Sequence, residues 1–178
     1  DEGLTAVGIE PSAWLCEQAR TRYGVDARQG ILDNHEFPAA SFRIVTMWDV
    51  LEHLFDLGKV IDKVRSLLSD DGLFVVSYPD HASLARKIMR GRWPFYLSVH
   101  LTYLTPRTVR RLLGDHGFDV LEIRPMWQTL RFGYVLKRAA GIFRPFGIAR
   151  WLVEKLHLGW IPFRYQMGQS LVVARKRA

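Results

Sequence analysis

Short apolar runs alternate with stretches of helical periodicity through the first 125 residues. Residues 4–9 form an apolar run ending at Glu10, and Pro11-Ser12 then opens a helix with Ser12 as its N-cap. That helix is predicted to reach about Tyr23 and stop at Gly24, with a short alternating edge strand over residues 25–29 before Gly30. Residues 41–47 read as a buried strand, because Phe42, Ile44, Val45 and Met47 are apolar and its centre is β-branched. Residues 57–68 place Val60, Ile61, Val64, Leu67 and Leu68 on one helix face. Asp71-Gly72 marks a turn, and residues 73–78 form a second buried strand closed by Pro79. Strands alternating with helices in this rhythm predict an open α/β sheet, its strands mostly parallel and joined by helical crossovers.

The second half is less regular. Residues 86–104 are basic and aromatic with little periodicity. Thr105-Pro106 then caps a helix with Val109, Leu112 and Leu113 on one face, ended by Gly117. Strands follow at residues 118–123 and 170–174. Between them, residues 126–167 carry a single acid, Glu154, among many basic and aromatic side chains. This segment is predicted to hold two amphipathic helices broken at Pro145 and Gly147. Lys137, Arg138, Arg144 and Arg150 mixed with Phe132, Trp151 and Trp160 describe either a helix lying on anionic lipid or a lid over a substrate cleft. The expected organisation is a core over 1–125, a basic helical insertion over 126–167, and a last core strand over 168–178.

Composition narrows the function classes. The chain has 178 residues, enough for one domain with a full core, and only Cys16, so no internal disulfide can form. Cys16 lies mid-helix and is expected to be a buried, inert thiol. The expected location is cytoplasmic, with peripheral attachment to the inner membrane face. The net charge of +7 conceals a split: residues 1–80 hold 7 basic against 14 acidic side chains, and residues 81–178 hold 18 against 4. The basic half points to a partner or substrate bearing negative charge. No helix-turn-helix, zinc or RNP signature occurs, so nucleic acid is not the expected partner.

VGIEPS at 7–12, FRIVTMWDVLEHL at 42–54, LLSDDGLFVVSYP at 67–79 and HLTYLTPRTVRRLLGDHGF at 100–118 occur in a characteristic order. The ordered set resembles class I S-adenosylmethionine-dependent methyltransferases, and within them the group similar to ubiquinone-biosynthesis O-methyltransferases. The resemblance covers residues 4–125 and 168–177. It implies a Rossmann-like methyltransferase fold with spatial strand order 3-2-1-4-5-7-6. It also implies a glycine-rich turn after the first strand, about twenty residues before Glu10, and only nine residues precede Glu10 here. The first strand is therefore expected to be missing from the middle of the sheet, and the chain to be a segment of a longer protein. Carried across by position, Glu10 holds the cofactor ribose, and Ile9 and Pro11 border the adenosine. Gly30, Ile31 and Leu32 lie near the adenine, and Trp48 and Asp49 face the methyl donor. The only acid offered to the adenine amino group is Asp33.

Asp49-Val-Leu-Glu52-His53 admits two readings. One is a capping box, with Asp49 as N-cap and Glu52 reaching back. The other uses the shared helix face of positions i, i+3 and i+4 to converge Asp49, Glu52 and His53, with His100 as a fourth group, on Mg²⁺, Mn²⁺ or Zn²⁺. The motif is similar to the ExxEH of small-RNA 2′-O-methyltransferases and some ubiquinone-pathway enzymes, which hold acceptor hydroxyls on a metal. His53 or His100 is separately a candidate general base for a hydroxyl proton. The expected function is methyl transfer to an oxygen or nitrogen of a small-molecule, lipid-linked or saccharide acceptor. The alternative is a non-catalytic membrane-surface or scaffold protein that keeps part of the fold.

Overall fold

The computed structural model describes residues 5–142 and 146–177. Strand β1 (Val7–Glu10) leads into helix α1 (Ala13–Tyr23), which starts where Ser12 Oγ accepts from the Leu15 N–H at 3.3 Å. Gly24 ends it in the left-handed region at φ 65°, its N–H bonding the Ala19 and Arg20 carbonyls. Strand β2 (Asp26–Gln29) returns parallel to β1, pairing Gln29 with Glu10.

Strand β3 (Phe42–Trp48) pairs in parallel with β4 (Leu68–Pro79). The crossover between them is α2 (Leu57–Leu67), capped by Asp56 and burying Ile61, Val64 and Leu67. The turn expected at Asp71-Gly72 is instead an irregularity inside β4. Phe42 pairs with Leu68 but Ile44 with Leu73, and Asp71 sits at φ 59°. A Cβ on Gly72 would come within 2.8 Å of the Ser69 carbonyl, so the turn-like residues serve the bulge. After the short helix α3 (Leu84–Met89), helix α4 (Pro106–Asp115) opens on a reciprocal Thr105–Thr108 capping box with Pro106 in its first turn.

Strand β5 (Phe118–Pro125) runs antiparallel to β8 (Gln169–Lys176), and β8 antiparallel to β4. The larger sheet is thus ordered β3-β4-β8-β5 and the smaller β1-β2. The pairings β1-β2 and β3-β4-β8-β5 are those that the expected order 3-2-1-4-5-7-6 gives to its second and third strands and to its fourth to seventh. The parallel expectation holds for the first four strands and gives way to antiparallel pairing around β8. Among the described residues, β1 and β3 each keep one unpaired edge, and no hydrogen bond joins the two sheets.

The core lies on one face of the larger sheet. Phe74, Val76, Tyr78, Val172 and Ala174 alternate inward against Ile61 and Val64 of α2 and Val109 and Leu113 of α4. On the opposite face Ile44 and Trp48 stay half exposed. The segment between β5 and β8 holds α5 (Phe132–Ile142) and α6 (Phe146–Lys155) as expected. It also holds a ribbon the sequence did not announce, in which β6 (Gln128–Arg131) pairs antiparallel with β7 (Pro162–Tyr165). The predicted break at Pro145 lies outside the described residues, and Gly147 lies inside α6 rather than ending a helix.

Candidate active site

The carboxyl ends of parallel strands in an open α/β sheet are where ligands bind, since loops diverge there and leave a crevice. Glu10 ends β1, Gln29 ends β2 beside it, Trp48 ends β3, and Ser77 to Pro79 end β4. The sequence-nominated residues lie at or just beyond strand ends of two sheets, Glu10 and Gly30 to Leu32 after β1 and β2, and Trp48 to His53 after β3.

At β1, one Glu10 carboxylate oxygen accepts from the Ser12 N–H at 2.8 Å, which fixes the side chain and leaves the second oxygen for a hydroxyl. The Glu10 carbonyl accepts from the Gly30 N–H at 3.1 Å and from the thiol of buried Cys16 at 3.3 Å, tying the two strand ends together. Gly30 has φ 133°, and a Cβ there would lie 3.1 Å from both Asn34 Oδ1 and His35 Nε2. Ile9 is half buried, Pro11 is exposed, and Ile31 presents an exposed apolar side chain while Leu32 packs on the core. Asp33 is engaged elsewhere: Lys59 Nζ lies 2.6 Å from its carboxylate and holds it below the usual range.

At β3, Asp49 is exposed and bonds to buried Ser77 and Gln169 instead of capping a helix. Its Oδ1 accepts from Gln169 Nε2 at 2.6 Å and from Ser77 Oγ at 3.0 Å, and its N–H donates to Ser77 Oγ at 2.9 Å. The backbone there is left-handed, φ 53°, a conformation these three bonds hold in place. The capping-box expectation therefore fails. Residues Leu51–His53 form only a 3-10 turn, whose N-cap is Val50 with no side-chain bond.

Glu52, His53 and His100 do converge, with one ligand atom from each within 4.8 Å of the others. Asp49, the fourth residue of the expected set, is not in this group. The Glu52 carbonyl accepts from the Leu101 N–H at 2.7 Å and the Thr102 N–H at 3.3 Å, pinning the loop that carries His100 onto the 3-10 turn. His53 Nδ1 lies 3.0 Å from the Val99 carbonyl. A carbonyl only accepts, so Nδ1 carries the proton and Nε2 keeps its lone pair. The His53 and His100 rings meet edge to face at 4.7 Å. Glu52 is 2% exposed with Oε2 unpartnered, and burial pushes its carboxyl up to about 7. His100 is also buried, with Nδ1 unpartnered, and burial pushes its pKa down.

Gln169 and Ser77, which hold Asp49, escaped the sequence reading. Gln169 stands 120 positions from Asp49, and no local spacing connects them. His81 packs in a ring cluster with Trp93, Tyr96 and Tyr103. In the insertion, Trp127, Trp151 and Trp160 are more than half exposed, with Lys155 over the Trp151 ring and Arg164 over the Trp127 ring. No helix among the described residues is long and apolar enough to cross a membrane.

Comparison with known proteins bears on this arrangement. A family described as a methyltransferase domain matches residues 1–123. A Mycolicibacterium smegmatis protein named "Probable S-adenosylmethionine-dependent methyltransferase" is 28% identical over 121 residues, 67% of this chain. The chain spans 46% of that relative's length. A methyltransferase structure from Thermotoga maritima superposes with TM-score 0.61 at 19% identity, over 97% of this chain and 72% of the other. One from Mesorhizobium loti gives TM-score 0.59 at 19% identity, over 96% of this chain and 79% of the other. Matched over most of its length and folded as those structures are, the chain belongs to the methyltransferase-domain family, with the class I S-adenosylmethionine-dependent fold.

Proposed function

We propose that the protein transfers a methyl group from S-adenosylmethionine to an oxygen or nitrogen of an amphipathic acceptor, with Glu10 holding the cofactor and His53 serving as base. The observation that supports this reading is that Glu10 stands at the carboxyl end of β1 and Asp49 just past that of β3, with His53 on the turn that follows Asp49, each held by hydrogen bonds to its surroundings. The residues fit the cofactor. Glu10 keeps one carboxylate oxygen for ribose hydroxyls, and Ile31, after β2, and Trp48, at the end of β3, offer exposed apolar surface. When bound, the sulfonium supplies an electrophilic methyl, so the protein has chiefly to position the nucleophile and take its proton. His53 Nε2 is available for that proton because the Val99 carbonyl holds the other nitrogen in its N–H form. Asp49, immobilised by Ser77 and Gln169, presents a fixed negative edge to the site.

The same cluster fits a divalent cation. Glu52 Oε2 and His100 Nδ1 are buried without partners, and with His53 they offer one oxygen and two imidazole nitrogens. Mg²⁺, Mn²⁺ or Zn²⁺ held there would take the His53 Nε2 lone pair as a ligand in place of its role as base, and would polarise an acceptor hydroxyl so that its proton passes to solvent. The basic, aromatic insertion suits an anionic membrane surface, so a lipid-linked acceptor and peripheral attachment complete the reading.

The test is transfer of tritiated methyl from the cofactor into membrane lipid extracts, with and without chelator. Label entering the lipid fraction and lost in His53→Ala supports the reading, and its abolition by chelator adds the cation. No transfer to lipid or aqueous acceptors refutes it.

A further inference from the structure

Beyond the strand ends, the short helix α3 that follows β4 carries Arg86, a cation that no carboxylate neutralises among the described residues. Arg86 donates from Nε to His81 Nε2 at 3.2 Å and to the Tyr96 hydroxyl at 3.1 Å, and its Nη2 lies 3.1 Å from the same imidazole nitrogen. Tyr96 in turn lies 3.0 Å from His81 Nε2, closing a triangle. These partners are all neutral: His81 receives Arg86 through an imidazole lone pair, and burial and the guanidinium both push its pKa down. Among the described residues, no carboxylate pairs with Arg86 and Nη1 makes no hydrogen bond. The nearest acid in sequence, Asp80, is buried and occupied by the Ala82 N–H at 2.8 Å and the Ser170 hydroxyl at 3.2 Å. Residues 81–114 hold 7 Lys and Arg and no Asp or Glu, so the segment supplies no counter-charge of its own.

A half-buried guanidinium without a counter-ion is costly, and proteins ordinarily pair such a group. Here three contacts from Nε and Nη2 to neutral groups fix its orientation while leaving Nη1 and the second Nη2 hydrogen for a guest. That is the geometry by which Arg takes an oxyanion in two parallel bonds. The place is right for an acceptor. Asp80 and His81 continue β4 beyond its carboxyl end, and the rings run on without a gap. His81 meets Tyr103 at 5.6 Å, Tyr103 meets His100 at 6.2 Å, and His100 meets His53 at 4.7 Å.

We propose that Arg86, oriented by His81 and Tyr96, binds an anionic group of the methyl acceptor, a phosphate, pyrophosphate or carboxylate, at the far end of the ring row from His53. This deepens the methyl-transfer reading and rests on it for the word acceptor, but the anion site itself stands on the geometry of Arg86. The substrate class it names is an anionic acceptor whose reacting atom and charged group are separated by the length of that row.

Calorimetry of the whole protein with inorganic pyrophosphate at low salt tests this. Arg86→Gln should weaken binding about tenfold, the loss of a charge-assisted pair. Arg86→Lys should recover little, because an ammonium lacks the fork. Tyr96→Phe should weaken binding by a smaller factor, and Lys87→Gln, on the exposed side of α3, should leave it unchanged. Cofactor affinity and the thermal midpoint should be unaltered in Arg86→Gln, which separates loss of the site from loss of the fold. Equal pyrophosphate affinity in wild type and Arg86→Gln would overturn the proposal, as would an equal loss in Lys87→Gln, the mark of a diffuse basic surface. Vesicles of phosphatidylcholine with phosphatidylglycerol, against phosphatidylcholine alone, assign the source. Arg86-dependent co-sedimentation supports the site with a lipid headgroup, and Arg86-independent co-sedimentation with Arg86-dependent pyrophosphate binding supports it with a phosphate on the acceptor. Should the protein bind no S-adenosylmethionine while pyrophosphate binding still depends on Arg86, the methyl-transfer reading falls and the anion site survives.

Discussion

Glu52→Gln should make the protein more stable at alkaline pH and no different at acid pH. The carboxyl is 2% exposed with one oxygen unpartnered, and burial raises its pKa from 4.5 to about 7. In the unfolded chain the proton leaves above about 4.5, whereas the folded protein keeps it until about 7. The folded state therefore binds more protons across that window, and stability falls as pH rises through it. At about 1.4 kcal/mol per pH unit, the span amounts to about 3 kcal/mol, lost by pH 8 and fully present below 4.5. Gln keeps the shape without the charge, so the variant should gain about 2–3 kcal/mol over wild type at pH 8. The assay is urea unfolding of both proteins at a series of pH values in chelator. Parallel pH profiles would refute the buried-acid account. Such a gain, coupled to lost turnover, is the trade expected where a strained group serves function. Repeating the series with Zn²⁺ or Mn²⁺ in place of chelator checks the cation: a bound ion restores wild-type stability at pH 8, and an unchanged gap contradicts the site.

Three further outcomes follow from the structure. Gln169→Leu removes the 2.6 Å bond to Asp49 and should cost about 1–2 kcal/mol in urea unfolding, with weaker cofactor binding by calorimetry; no change in either would separate Asp49 from the site. Leu113→Ala, at a fully buried position of α4, should cost about 2–5 kcal/mol, read by the same unfolding assay. Replacing Lys137, Arg138, Arg144 and Arg150 by Gln should weaken co-sedimentation with anionic vesicles, each basic residue near the surface contributing about 1 kcal/mol; undiminished binding would leave the insertion as a lid.

The periodicities made most of the core legible because each element carried its own boundary chemistry. Ser12 and Thr105 cap the helices they were expected to cap, and Gly24 closes α1. Misreadings arose where one local signal had two physical uses. Asp70-Asp71-Gly72 looks like a turn and is a bulge, because β3 continues to pair across it. Asp49 with Glu52 looks like a capping box, but Ser77 and Gln169 claim Asp49 from distant strands. The ribbon of β6 and β7 hid inside an amphipathic pattern, as four-residue strands carry too little periodicity to stand out. Within the site, the Glu52, His53 and His100 grouping was readable from spacing together with the family resemblance. The Arg86 triangle was not, since its three members are brought together by the folding of the segment between β4 and α4 and by no repeat in the sequence.

The central claim is that the edge built around Glu10 holds S-adenosylmethionine. Calorimetry of the whole protein with S-adenosylmethionine, wild type against Glu10→Ala, addresses it most directly. The account predicts measurable binding that weakens by about 1.5–3 kcal/mol in the variant, the worth of hydrogen bonds to a charged acceptor. Equal affinity in the two proteins, or no binding by wild type, would contradict it.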